Sequence, residues 1–209
     1  MINFTEIKMK NLGVLHSRLP EDLWSGVKES IDRQVTNKDQ MKKFKEKIFP
    51  EVSGIVETLK IQLPKEFHKY ISDLSMEYMQ YFDQDIPKAV TISSLWANLQ
   101  KKHEYRPYHA HWSRDNTYLS FVLYANIPYS LENEDTLPNH KESKIFRNSR
   151  LEFIYHTLDG SKAMHQVDVD KSFEGSILIF PTTLFHIVYP FYTSDDYRIS
   201  IAGNCQFTF

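Results

Sequence analysis

The sequence predicts a mainly β protein with its helices gathered at the N-terminus, an α+β chain whose core is a double-stranded β-helix, the distorted jelly roll of cupin-like proteins. Apolar residues recur at helical spacing before about residue 88 and alternate in strand fashion after it. Seven or eight strand segments then follow one another, which suits two packed sheets. Three histidines, His109, His111 and His186, are spaced so that strands could bring them to one point. At 209 residues the chain suits one domain, with 1–88 a mostly helical support and 89–209 the β-helix core.

The elements follow in order. Asn11 to His16 reads as a leading strand. Pro20-Glu-Asp-Leu-Trp opens a helix whose Leu23, Val27, Ile31 and Val35 form a one-sided apolar stripe. Pro64 opens a second, with Phe67, Ile71, Leu74, Tyr78 and Phe82 on one face. Both stripes are expected on the outside of a sheet. After Pro87 come strands over Val90–Gln100, Tyr105–His111, Tyr118–Ile127, Leu151–Leu158, Ala163–Val169, Ser176–Phe180 and Tyr197–Phe207. Asp159-Gly160 marks a hairpin turn. Ser130 to Arg150 is too long and polar for an ordinary hairpin loop and is expected to be a lid over the barrel mouth.

Composition narrows the function. Lys plus Arg at 25 against Asp plus Glu at 27 gives a net charge of -2, which offers no electrostatic case for nucleic acid or a membrane surface. The basic cluster from Lys42 to Lys47 reads as a solvated helix face. A single cysteine, Cys205, excludes an internal disulfide and a cysteine-based metal cluster, and fits a reducing cytosol. No basic and apolar signal segment opens the chain, and no run of about 18 apolar residues could span a bilayer. A cytoplasmic enzyme is expected, in the host cytoplasm if the chain is viral.

His109 and His111 stand at i and i+2, so on a strand both leave the same face. His186 lies just past the apolar run Gly175–Leu184, at a turn that could deliver it to a barrel mouth. Imidazole suits iron, zinc, copper and nickel, and three protein ligands on one face of an octahedron leave three positions open, as a catalytic site requires. Twelve residues beyond His186, Arg198 shares a strand face with Ser200 and presents a guanidinium fork and a hydroxyl to a carboxylate. The other histidines, His16, His68, His103, His140, His156 and His165, read as ordinary surface or core residues.

At these residues the chain resembles the Fe(II) and 2-oxoglutarate-dependent oxygenases, and within them the prolyl-hydroxylase-like branch with bacteriophage relatives. The resemblance covers roughly residues 90 to 209. It rests on Trp96-Ala-Asn98, Arg106-Pro-Tyr-His-Ala-His111, Tyr118-Leu-Ser-Phe-Val-Leu-Tyr124, Phe180-Pro-Thr-Thr-Leu-Phe-His-Ile-Val-Tyr-Pro190 and Tyr197-Arg-Ile-Ser-Ile-Ala-Gly-Asn204, in that order. It implies Fe(II) held by His109, His111 and His186, with 2-oxoglutarate and dioxygen as co-substrates. Arg198, Tyr124 and Ser200 would hold the C5 carboxylate, with Asn98 facing the co-substrate. The implied reaction is hydroxylation coupled to oxidative decarboxylation, on a peptide or small molecule, a peptidyl prolyl side chain being the favoured acceptor.

One position departs from the family pattern, which is His-x-Asp where this chain has His111. A neutral ligand in place of a carboxylate leaves the site one charge more positive. Two readings of His111 stay open: it ligates the metal, or it lines the site while water or a carboxylate such as Asp115 completes the ligand set. Two other classes also stand beside the oxygenase, a three-histidine cupin-type metal enzyme that does not use 2-oxoglutarate and a non-catalytic jelly-roll module.

Overall fold

Two antiparallel sheets face each other in the computed structural model, which describes residues 12–40, 56–111, 116–138 and 145–209. The elements run β1 (Leu15–Arg18), α1 (Glu21–Thr36), β2 (Glu57–Lys60), α2 (Lys65–Tyr81), β3 (Ala89–Gln100), β4 (Arg106–His109), β5 (Thr117–Asn126), α3 (Leu131–Asp135), β6 (Leu151–His156), β7 (Lys162–Val167), β8 (Ser176–Pro181), β9 (Phe185–Val188) and β10 (Arg198–Thr208). The larger sheet has the order β1-β8-β5-β10-β3-β2 and the smaller β4-β9-β6-β7. Consecutive strands alternate between the sheets from β3 to β6 and again from β7 to β10, which is jelly-roll winding.

The helices pack on the outer face of the larger sheet. Val27 and Ile31 of α1 and Phe67, Ile71 and Tyr78 of α2 are fully buried against Leu99, Phe121, Ile179, Ile201 and Cys205. Each such side chain contributes about 1.5–3 kcal/mol of burial. Glu21 and Asp22 in the first turn of α1 complement its dipole. A second apolar cluster, with Tyr124, Tyr129, Leu151, Phe153, Leu178 and Phe180, fills the space between the sheets.

Three elements differ from expectation. The leading strand is Leu15–Arg18, and Asn11 lies outside the described residues, as do Lys42–Lys47, Trp112, Asp115 and His140. The four-residue β2 has one fully buried apolar residue, Leu59, and so offers no alternation to read. The polar Ser130–Arg150 stretch contains α3, capped by the Ser130 hydroxyl accepting from the Asn133 N–H. Its described parts are pinned rather than poised: the buried Glu134 carboxylate accepts from the Tyr192 and Thr193 N–H groups, and Arg150 donates to both carboxylate oxygens of Asp135 and to Asp168. This places them at the Arg198 end of the roll, where Ser149 O accepts from Arg198 at 2.7 Å.

Candidate active site

The inner face of the larger sheet is a ladder of rungs across β3, β10 and β5. Arg198 lies opposite Gln100, and Ser200 stands between Asn98 and Tyr124. Ala202 stands between Trp96 and Val122, and Asn204 between Ser94 and Ser120. From Arg198 to Asn204 is about 20 Å at a strand's rise of about 3.4 Å per residue. The polar rungs flank an apolar one, and a pocket runs along them that the histidines and Arg198 both line.

Across that pocket, His109 on β4 lies opposite His186 on β9, and Arg106 opposite Val188. The strand does not continue to His111. Pro107 has no N–H to give a ladder, the register shifts between Arg106 and His109, and β4 ends there. His111 is instead held beyond the strand by its N–H donating to Thr182 O at 2.9 Å. The expected strand to His111 is therefore too long by two residues, yet the three rings still converge. Ring centroids are 4.2 Å apart for His109 and His186, 5.3 Å for His111 and His186, and 5.4 Å for His109 and His111. One potential ligand atom from each lies within 4.8 Å of the others. Among the described residues this is the one such cluster.

Each ring is oriented through Nδ1. His109 donates to Pro107 O at 2.6 Å and His186 to Leu184 O at 3.0 Å. His111 donates to Asn204 Oδ1 at 2.9 Å, with Ser120 Oγ at 3.0 Å. The Asn204 amide is itself fixed, its Nδ2 donating to Ser94 Oγ and its Oδ1 also accepting from Ser120. With Nδ1 protonated on all three, Nε2 keeps its lone pair, which is the tautomer a metal ligand needs. Burial first, then the neighbouring His111 and Arg106 charges, pulls His109 down to about 3. Burial likewise takes His111 to about 4 against the Asn204 bond, and His186 falls well below the usual range. The cluster is neutral at physiological pH, and its donor set fits a divalent transition metal such as Fe(II).

At the far end Arg198 is 3 % exposed, yet its acceptors are all uncharged. Nε and Nη2 donate to Gln100 Oε1 at 3.1 and 2.5 Å, Nη1 to Tyr129 OH and Ser149 O at 2.7 Å, and Nη2 to Tyr189 O at 3.0 Å. The rings of Tyr129 and Phe191 each lie 5.8 Å from its Cζ. A buried cation without a carboxylate partner among the described residues is costly unless an anion arrives. Tyr124 is buried near it: burial raises the phenol while the Arg198 charge opposes. Asn98 donates to Ser200 Oγ at 3.3 Å and accepts from Trp96 Nε1 at 3.1 Å. Trp96 in turn stands edge-on to His111, with centroids 5.5 Å apart, and forms a wall of the site.

Four residues of the site escaped the sequence reading of roles: Arg106 and Gln100, which line the pocket, and Tyr129 and Asn204, which hold Arg198 and His111 from behind. Alternation carries part of the signal. Asn204 shares parity with Arg198 and Ser200, and Gln100 with Trp96 and Asn98, so both could be placed inward.

The model of a family described as "Putative 2OG-Fe(II) oxygenase" matches residues 94–204, slightly more than half of the chain. The chain belongs to this 2OG-Fe(II) oxygenase family. It is a 2-oxoglutarate-dependent dioxygenase that uses Fe(II), 2-oxoglutarate and dioxygen. The fold is similar to that of a prolyl-4-hydroxylase from Pseudomonas putida, with 15 % identity and a TM-score of 0.59 over 95 % of this chain and 94 % of that one. It is also similar to a prolyl hydroxylase from Trichoplax adhaerens solved with a hypoxia inducible factor peptide fragment, with 13 % identity and a TM-score of 0.61 over 93 % and 83 %. HygX from Streptomyces hygroscopicus, solved with nickel and 2-oxoglutarate bound, gives 10 % identity and a TM-score of 0.51 over 95 % and 84 %. A sequence search of curated proteins found no significant match. No helix among the described residues is long and apolar enough to cross a membrane.

Proposed function

We propose that the oxygenase hydroxylates a C–H bond of a peptidyl side chain, prolyl in the first instance, with His109, His111 and His186 holding the metal. The carrying observation is the pairing, in one pocket, of three neutral imidazoles with a buried cation that has only uncharged acceptors. When bound, Fe(II) with 2-oxoglutarate supplies the oxidising chemistry, one oxygen atom of dioxygen going to the substrate and the other to succinate as carbon dioxide leaves.

The chain's own part is binding, orientation and exclusion of water. Arg198 receives the C5 carboxylate of 2-oxoglutarate, which takes over the Nε and Nη2 edge now facing Gln100 Oε1. Tyr124 and Ser200 border that carboxylate from the next rung, with Asn98 behind them. Phe180, Val122, Leu151 and Val188 keep the passage between the two ends apolar. The names of the two prolyl hydroxylases of similar fold support a peptidyl proline. A metal enzyme that ignores 2-oxoglutarate would have no use for a buried guanidinium at the end of the pocket.

Anaerobic titration of the Fe(II) protein with 2-oxoglutarate tests the co-substrate assignment. The weak visible charge-transfer band is expected for wild type and is expected to fade in Arg198→Ala; a band of equal strength and affinity in the variant refutes the Arg198 assignment. Proline-containing peptides are expected to raise succinate formation above the substrate-free rate. If none does, while a small molecule does, the peptidyl acceptor is wrong.

A further inference from the structure

The pocket contains two guanidinium groups, and the function proposed above uses one. Arg106 and Arg198 are its only charged side chains among the described residues that line it. They serve opposite ends. The Arg106 charge is felt by all three imidazoles, whereas that of Arg198 is felt by Tyr124 and Tyr129. The backbone agrees: Arg106 lies opposite Val188, two residues from His186, on the strand that carries His109. Burial lowers Arg106 to about 10, so it remains a cation at neutral pH.

A 2-oxo acid that chelates a metal uses its keto oxygen and one oxygen of its C1 carboxylate. The second carboxylate oxygen then faces the pocket wall. In this chain that wall is otherwise aromatic, aliphatic or amide, from Trp96, Phe180, Val122, Val188 and Asn98.

We propose that Arg106 is a second co-substrate anchor, which donates to the metal-facing C1 carboxylate of 2-oxoglutarate while Arg198 takes the C5 end. This rests on the 2-oxoglutarate reading of the pocket and assigns a different residue to each carboxylate. Arg106 thereby selects for the 2-oxo acid head, and Arg198 for the second acid group. A ligand with one carboxylate separates them, because it meets Arg106 and leaves Arg198 with its uncharged acceptors alone.

The test is anaerobic titration of the Fe(II) protein with 2-oxoglutarate and with 2-oxobutyrate, which lacks the distal carboxylate, followed by the charge-transfer band. Wild type, Arg106→Gln and Arg198→Gln are compared, with iron retention and thermal unfolding measured alongside. Arg106→Gln is expected to weaken both acids by the same factor, about tenfold or more, as loss of a charged hydrogen bond implies. Arg198→Gln is expected to weaken 2-oxoglutarate alone. If Arg106→Gln binds both acids as wild type does, or weakens the diacid alone, the assignment is overturned. If wild type binds neither acid, the 2-oxoglutarate reading falls with it. Arg106→Met, which keeps the buried alkyl stem, carries the same comparison should the glutamine variant not fold.

Discussion

The two faces of β10 divide the molecule's tasks. Outward, Ile199, Ile201, Cys205 and Phe207 join the largely apolar layer under the helices, with Gly203 on the same face; inward, Arg198, Ser200, Ala202 and Asn204 line or support the pocket. The outward face is so close-packed that a Cβ on Gly203 would come within 2.5 Å of Phe121 and 2.8 Å of Ser94 O. The inward face carries a buried cation and a fixed amide, each of which the fold must satisfy with hydrogen bonds. One strand thus holds stability on one side and chemistry on the other, and single substitutions should separate the two.

The largest effect is expected opposite the inward face. His109→Ala and His186→Ala, made separately, should abolish iron retention and succinate formation while the apoprotein still unfolds cooperatively; iron bound at wild-type stoichiometry by either would remove it from the ligand set. On the outward face, Ile201→Ala should cost about 2–5 kcal/mol in urea unfolding, as expected for a fully buried side chain. The folded fraction should bind 2-oxoglutarate as wild type does, and a lost affinity at unchanged stability would show that the faces are not separate.

Smaller effects sharpen the inward face. Asn204→Ala should weaken metal affinity by about 10–100-fold, the usual cost of losing a ligand-orienting partner, and Asn204→Asp should restore most of it. Equal metal affinity in all three proteins would mean that Asn204 does not orient a ligating His111. Acid gives the mildest probe. His109 and His111 fall from 6.5 in the unfolded chain to about 3 and about 4 when folded, so the unfolded state binds more protons between those values. The stability their neutral forms contribute is complete above pH 6.5 and is lost as pH falls toward 4, so the apoprotein's melting temperature should drop across that window. His109→Ala should flatten the slope.

The sequence made the fold class legible because helical and strand periodicities occupy separate halves, and the jelly roll is what two such sheets build. It also indicated His109, His111 and His186, which the fold brings within ring contact. Short elements were not legible: β2, α3 and β9 have four or five residues, too few repeats of either period to stand out from their surroundings. The partners of Arg198 were hidden for another reason. Gln100, Tyr129, Ser149 and Tyr189 are far from it in sequence or lie across a sheet register that alternation cannot fix. Tyr124 was the expected hydroxyl, and Tyr129 is the one that accepts from the guanidinium.

The rungs between the histidines and Arg198 give the pocket a ruler whose divisions are main-chain geometry. A one-residue slip of β10 against β3 would turn Arg198 out toward the helices and bring Ile199 in, so the spacing between anchors can shift only by two residues, about 7 Å. A methylene group adds far less than that. With Arg198 as the proposed distal anchor, co-substrates of neighbouring chain length are beyond the reach of a register slip, and a lineage drifting toward a longer or shorter 2-oxo diacid would have to trade Arg198 for a side chain of different reach.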